Sequence, residues 1–339
     1  MEHIAIDLGS RESQICVRSA SGEILEEKRW ATKALGGYLK LRPPSRVILE
    51  TCAEAFRVAD CGVELGHDVR VVPATLAPAL GVGERQTKTD TRDARKLSEV
   101  STRVELPSVH IPSQTSREWK SACGARESLV ESRTQLINVV RGWTRGQGIN
   151  VAPGKTETFV TRARKVICEP PLHIEVVLKA IDGLNEHVAT LDKMVEKHAK
   201  EDDVCRRLMT VPGVGPVVAT RFVATLDDVT RFESAHKVEA YLGLTPGERS
   251  SSDKKQRTGI TKAGSPKMRW ALVQASWAAR RSRGTHPMLA WVNEVEKRRG
   301  KRVAALALAR KIAGILYAIW RDGTIYNPKE AASASLKIA

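Results

Sequence analysis

The chain has 339 residues, enough for two or three domains with separate cores, and 42% of them are hydrophobic, as in a soluble globular protein. Only 4% are aromatic, which argues against a base-stacking platform for single strands, while a net charge of +16 favours a polyanionic partner. No run of about 18 apolar residues is read in the sequence and the opening MEHIAID is strand-like, so neither a membrane span nor a signal peptide is expected and the protein is assigned to the cytoplasm.

The first 110 residues alternate strand and helix signals. HIAIDLG and SQICVRSA read as a hairpin, GEILEEKRW adds a third antiparallel strand, and a helical ATKALGGYLKL leads to the strand RVILE. The helix AEAFRVADCGVELG and the strand DVRVVP follow. Three antiparallel strands succeeded by alternating helices and strands is the order of a ribonuclease-H-like α/β domain, a mixed sheet with helices on both faces.

Between about 112 and 200 helical periodicity takes over. One helix is expected over roughly Arg117 to Trp143, before a break at RGQGINVAPGK. In the next, Val177, Ile181, Leu184, Val188, Leu191 and Val195 recur at spacings of 4 and 3 residues, the seam of a coiled coil. An intramolecular hairpin and an oligomerising coiled coil both satisfy that seam, and they are compatible. From 201 onward, RRLMTVPGVGPVVATRFVATL has the form of a helix-hairpin-helix, with glycines that allow a tight turn and close approach of backbone amides to phosphate. A polar loop, RSSSDKKQRTGITKAG, separates it from the helices MRWALVQASWAARRSR and KRVAALALARKIAGILYAIWRDG, and the tail EAASASLKIA reads as disordered.

Charge is unevenly spread. Residues 1–110 hold 16 Lys+Arg and 16 Asp+Glu, a net of zero, whereas residues 245–325 hold 18 against 5, a net of +13. Nucleic-acid binding is therefore expected mainly in the C-terminal third, and it should weaken with added salt. The six cysteines, Cys16, Cys52, Cys61, Cys123, Cys168 and Cys205, form no C-x₂-C pair and are read as reduced, mostly buried thiols.

Four acids carry the candidate chemistry. Asp7 and Glu50 each close an apolar strand, and Asp90 and Asp93 in KTDTRDARKL lie three apart at the start of a helix, on one face. Singly, a strand-end acid is a surface residue and an Asp at a helix start is a cap. Together they form an all-oxygen donor set suited to Mg²⁺, with Mn²⁺ as a substitute. Ser250, Ser251 and Ser252 sit among cations in the polar loop, where a hydroxyl could attack a phosphodiester. Arg249, Lys254, Lys255, Arg257, Lys262, Lys267 and Arg269 surround them as candidate phosphate contacts, and a general grip on nucleic acid explains these cations equally well.

With IAIDLGS, LETCAE, KTDTRDARKL, VPGVGPVVAT, AYLGLTPGERSSSDKKQRTGITKAGSPKMRWALVQAS and ALARKIAGILYAIWRDG in this order, the chain resembles the DEDD transposases of the one-ten family of bacterial insertion sequences, relatives of the Piv and MooV invertases. The resemblance spans nearly the whole chain. It implies a RuvC-like domain over 1–110, a helical coiled-coil segment over 111–200, a mainly α transposase domain with the serine loop over 201–326, and a tail over 327–339. It places the family's acids on Asp7, Glu50, Asp90 and Asp93 and its nucleophile on Ser251, or alternatively Ser250. Ser252 and Asp253 stand where the family usually has glycines. It further implies donor and target DNA as substrates, a structured guide RNA, a dimer or tetramer held through 177–195, and work at the nucleoid. The alternatives are a RuvC-like structure-selective endonuclease that uses metal-activated water, and a nucleic-acid-binding regulator with an inactive nuclease domain.

Overall fold

A computed structural model describes residues 1–76, 90–251, 254–282 and 287–328, with backbone only for 90, 249–251 and 254–257. The expected disordered tail, from 330 onward, lies outside the described residues. The chain divides into two compact units, Met1–Pro112 and Ser113–Ala339.

In the first unit, β1 (His3–Asp7), β2 (Glu12–Arg18) and β3 (Ile24–Ala31) form an antiparallel meander. Helix α1 (Leu35–Lys40) then leads to β4 (Arg46–Glu50), α2 (Ala55–Glu64) and β5 (Asp68–Val72). Strands β4 and β5 add parallel to β1, so the sheet runs β3-β2-β1-β4-β5 and is mixed. The central strands are apolar on both faces, as burial on both sides requires. Ile4, Ile6, Val47 and Leu49 pack with Leu35, Leu39 and Val58 under α1 and α2. On the other face Ala5, Ile48 and Val72 pack with Leu97 of α3 (Asp90–Arg103).

His3, at the far end of β1, is nearly buried, and its Nδ1 lies 2.7 Å from Ser101 Oγ of α3. Burial, with the Arg46 guanidinium beside it, holds its pKa below the usual 6.5. The unfolded chain therefore binds a proton at a pH where the folded chain does not. Stability should be full above about pH 6.5 and fall as pH drops through the folded value. Urea midpoints measured from about pH 7.5 down to pH 5 should decline, and His3→Asn should flatten that decline; an unchanged slope in the variant would discard His3 as the sensor.

Among its described residues the second unit is helical apart from one hairpin. Helix α4 (Gln114–Gly146) runs antiparallel to α6 (Leu172–Glu201), with the short α5 (Phe159–Val166) between them. Trp119 stacks on His198 at 3.8 Å, Arg133 Nη1 donates to Asn185 Oδ1 at 2.9 Å, and Trp143 meets His173 edge-on. Each contact pairs a later residue of α4 with an earlier one of α6. The seam expected over 177–195 is covered within the chain: Ile181, Val188 and Val195 are buried, and Val177, Leu184 and Leu191 are half-buried.

Helices α7 (Asp203–Leu208) and α8 (Pro216–Leu226) flank the VPGVGP turn. Gly213 there has φ +85°, and a Cβ would lie 2.2 Å from the Ala275 carbonyl oxygen, so only glycine lets the turn approach that backbone. Beyond α9 (Ala235–Tyr241), the stretch expected as a polar loop forms two antiparallel strands, β6 (Pro246–Ser251) and β7 (Lys254–Ile260). Backbone pairing makes this ribbon without any apolar alternation, which is why the sequence pattern does not reveal it. Helices α10 (Pro266–Arg281), α11 (Pro287–Arg299) and α12 (Lys301–Asp322) complete the unit. By length and composition α12 could cross a membrane, a feature the search for apolar runs passes over. Here it serves as a core helix, burying Leu308, Ile312, Leu316 and Tyr317.

Candidate active site

The turn after β1 explains how Asp7 is presented. At Gly9 a Cβ would stand 2.3 Å from the Glu12 carbonyl oxygen, so the chain reverses tightly just beyond the strand and leaves Asp7 at its end. Glu50 ends the neighbouring parallel strand, one residue past the last registered pair of Ile6 with Leu49. Glu50 is also registered with Val72, which packs on the α3 side, and residues paired across a ladder share a face. Asp7 alternates with Ala5 and so lies on that face too.

Helix α3 brings the third acid to the same end. Ser101 meets His3, and Ser98 Oγ donates to Cys16 Sγ at 3.2 Å, Cys16 being the ladder partner of Ala5. As α3 is followed back toward its start, β1 is followed forward toward Asp7. At a rise of about 1.5 Å per helical residue and about 3.3 Å per strand residue, the first turn of α3 arrives at the height of Asp7. Asp93 is on that turn and buried, at 6% exposure. The Asp90 side chain is outside the described residues, although its backbone starts the helix. Gln14, the ladder partner of Asp7, is buried and was not singled out from the sequence. The alternation of ESQICVR, which puts Gln14 on the Cys16 face, is the signal for it.

Among the described residues no group of three or more His, Cys, Asp or Glu forms a ready-made metal cage. Mg²⁺ rarely needs one, since it commonly takes one or two carboxylates and completes its shell with water and substrate phosphate. An all-carboxylate set at one end of a sheet fits that chemistry.

The candidate serines lie on the backbone of β6, Ser250 registered with Lys255 and Ser251 with Lys254. Ser252 and the side chains of Arg249, Lys254, Lys255 and Arg257 fall outside the described residues. At the foot of the hairpin is a cleft of ≈ 580 Å³ lined by Lys120, Thr225, Tyr241, Gly264 and Ser265. Lys262 is exposed there with φ +58°. Two of the expected phosphate contacts have partners within the protein. Lys267 Nζ stands 3.1 Å from Glu127 Oε2, and Arg269 Nη1 donates to the carbonyls of Leu242 and Gly264. Glu127 of α4 also accepts from Arg221 of α8 at 3.3 Å, a buried cluster that sequence reading gives no means of finding.

Two family models match successive parts of the chain. A DEDD transposase model of the IS110 group matches residues 4–144, the span holding all four acids. A second, described as the transposase IS116/IS110/IS902 family, matches residues 205–289, which hold the serine hairpin and every cation named around it. A putative transposase of Sinorhizobium fredii is 30% identical over 282 residues, covering 76% of this chain and 70% of that protein. The chain belongs to the IS116/IS110/IS902 family of transposases. Similarity extends end to end in other relatives: the transposase for insertion sequence element IS1328 of Yersinia enterocolitica is 27% identical over 96% of this chain and 98% of its own. A probable family 20 transposase of Pseudomonas aeruginosa is 27% identical over 97% and 99%. As an insertion-sequence transposase of this family, the protein acts on DNA.

Proposed function

We propose that this transposase cuts and rejoins DNA through a covalent phosphoserine intermediate, with Ser251 as nucleophile, or Ser250 if the register is shifted by one. Asp7, Glu50, Asp90 and Asp93 hold Mg²⁺, for which Mn²⁺ can substitute. The observation that carries this reading is the docking of α3 on the sheet, which takes Asp93 to the end where Asp7 and Glu50 stand. When bound, the metal supplies neutralisation of the scissile phosphate and stabilisation of charge on the exchanging oxygens. The serine Oγ forms a bond to phosphorus as the bond to a deoxyribose oxygen breaks. The hydroxyl proton leaves to a base, and the leaving oxygen takes one up. Bond energy is kept in the new ester, so a second strand's hydroxyl can displace the serine and rejoin.

The strand order of the first unit supports a RuvC-like domain, and the α7–VPGVGP–α8 element supports a helix-hairpin-helix-like contact to DNA. Exposed neighbours of the 177–195 seam leave room for a coiled-coil dimer or tetramer. Guidance by a structured RNA, and work at the bacterial nucleoid in the cytoplasm, complete the proposal.

Trapping tests the core of it. After incubation with substrate DNA and Mg²⁺ and then denaturation, wild-type protein should carry a DNA adduct. Ser251→Ala should abolish that adduct and Ser250→Ala should keep it. Cleavage without adduct in the Ser251 variant would replace the recombinase with an endonuclease using water. DNA binding with neither cleavage nor adduct in the wild type would leave only a regulator. Sequencing of RNA that co-purifies with the protein should return one discrete species, and a random population would remove the guide.

A further inference from the structure

Resting on the DNA-acting role above, we infer that the corner where α10, α11 and α12 meet is a docking surface for the sugar-phosphate backbone of duplex DNA, separate from the serine hairpin. Residues 297–302 read Lys-Arg-Arg-Gly-Lys-Arg and are exposed throughout. They bridge the end of α11 and the start of α12. Arg280 and Arg281 at the end of α10 join them, because the Arg280 guanidinium pairs with Glu296 and lies 5.1 Å from the Trp277 ring centre, while Lys301 Nζ lies 5.7 Å from that same ring.

Stabilisation of the fold explains only part of this charge. Cations at the ends of α10 and α11 complement the negative pole of each helix, and Lys297 is paired with Glu294 at 2.7 Å. Lys301 and Arg302 are at the opposite pole. They occupy the first turn of α12, where the helix dipole repels cations, where no acidic residue is present and where Gly300 supplies no side-chain cap. Among the described residues Arg299, Lys301 and Arg302 form no ion pair. Lys301 and Arg302 beside the free amides of α12 cost the apo protein stability, and together with Arg299 at the end of α11 they suit a row of phosphates.

The chemistry favours duplex over unpaired strand. The aromatic ring of this corner, Trp277, is only half-exposed and is flanked by Arg280 and Lys301, so the surface offers charge without a stacking platform. Backbone contact of this kind fixes position on DNA and carries no sequence information.

The test is a salt titration of binding between the full-length protein and a non-specific duplex of roughly 30 base pairs, with the triple variant R299A/K301A/R302A beside the wild type. The slope of log affinity against log salt should shrink by about 2.7, or 0.9 for each phosphate no longer neutralised, and affinity at about 0.1 M salt should fall on the order of 10²-fold. The melting temperature should stay nearly unchanged, since removing Lys301 and Arg302 relieves repulsion at the start of α12 and offsets the loss of Arg299 from the end of α11. An unchanged slope overturns the surface, as does a lowered melting temperature with the slope retained, which would make these residues structural. A slope change seen with structured RNA but absent with duplex overturns the choice of DNA. Binding is read without cleavage: if adduct trapping fails while the slope shifts, the recombinase chemistry falls and the docking surface stands, and the reverse pattern sinks only the surface.

Discussion

Asp7→Asn is expected to lower DNA strand cleavage by on the order of 10³-fold while leaving the melting temperature nearly unchanged. The reason lies in where Asp7 stands. It is half-buried at the end of β1, with its backbone still in the ladder opposite Gln14, so the isosteric amide keeps the strand and its turn intact. What the change removes is one anionic oxygen from the donor set proposed to hold Mg²⁺. Glu50→Gln should act in the same direction, since Glu50 ends the adjacent strand on the same face. Cleavage of labelled duplex at fixed Mg²⁺, read beside a thermal melt, checks both. Activity of Asp7→Asn within tenfold of wild type would remove Asp7 from the site. A collapsed melt would mean that the acid supports the fold instead.

Glu127→Ala should cost about 3–5 kcal/mol of stability, the largest loss expected from any single polar substitution in the second unit. Glu127 on α4 lies against Arg221 of α8 and Lys267 of α10, so one carboxylate serves three helices. Arg221 is 5% exposed, and its Nη2 also donates to the Cys123 carbonyl at 2.8 Å. Truncating Glu127 leaves that guanidinium buried with a single neutral acceptor, and the cost of an uncompensated buried charge exceeds the worth of the pair itself. The double variant Glu127→Met with Arg221→Met should therefore be more stable than Glu127→Ala alone. Urea unfolding of the full chain measures both, and a single-variant loss below about 1 kcal/mol would show that water reaches Arg221 and screens it.

The first unit was largely legible because its strands announce themselves. IAID and RVILE are apolar on both faces and end in acids, and only a buried strand at the middle of a sheet has that pattern. The start of α3 was legible from KTDTRDARKL, but its docking was not. That helix meets the sheet through Ser98 and Ser101 as much as through Leu97, and hydroxyls that bond to Cys16, Arg18 and His3 carry no hydrophobic period. The buried face of α6 was legible only in part: Ile181, Val188 and Val195 of the heptad reading are buried, but so are Ile174, Leu178 and Ala199, which lie outside it because a straight helix of 3.6 residues per turn drifts from a 3.5-residue repeat. The hairpin of β6 and β7 escaped because PGERSS and KKQRTGI show no apolar alternation, and it is made by backbone pairing alone. The Glu127 cluster joins residues 94 apart in the chain, a separation over which no local pattern extends.

The order in which the acids occur along the chain bears on how the enzyme comes into being at the ribosome. Asp7 and Glu50 emerge early, but the face they share is roofed by α3, whose Leu97 closes the small core with Ala5, Ile48 and Val72. Until synthesis has passed residue 103 that face is bare and Asp93 has no place beside it. The face on which Asp7 and Glu50 stand is thus completed in a single step once α3 has been made, and a product that terminates between β5 and α3 carries those two acids on an uncovered sheet.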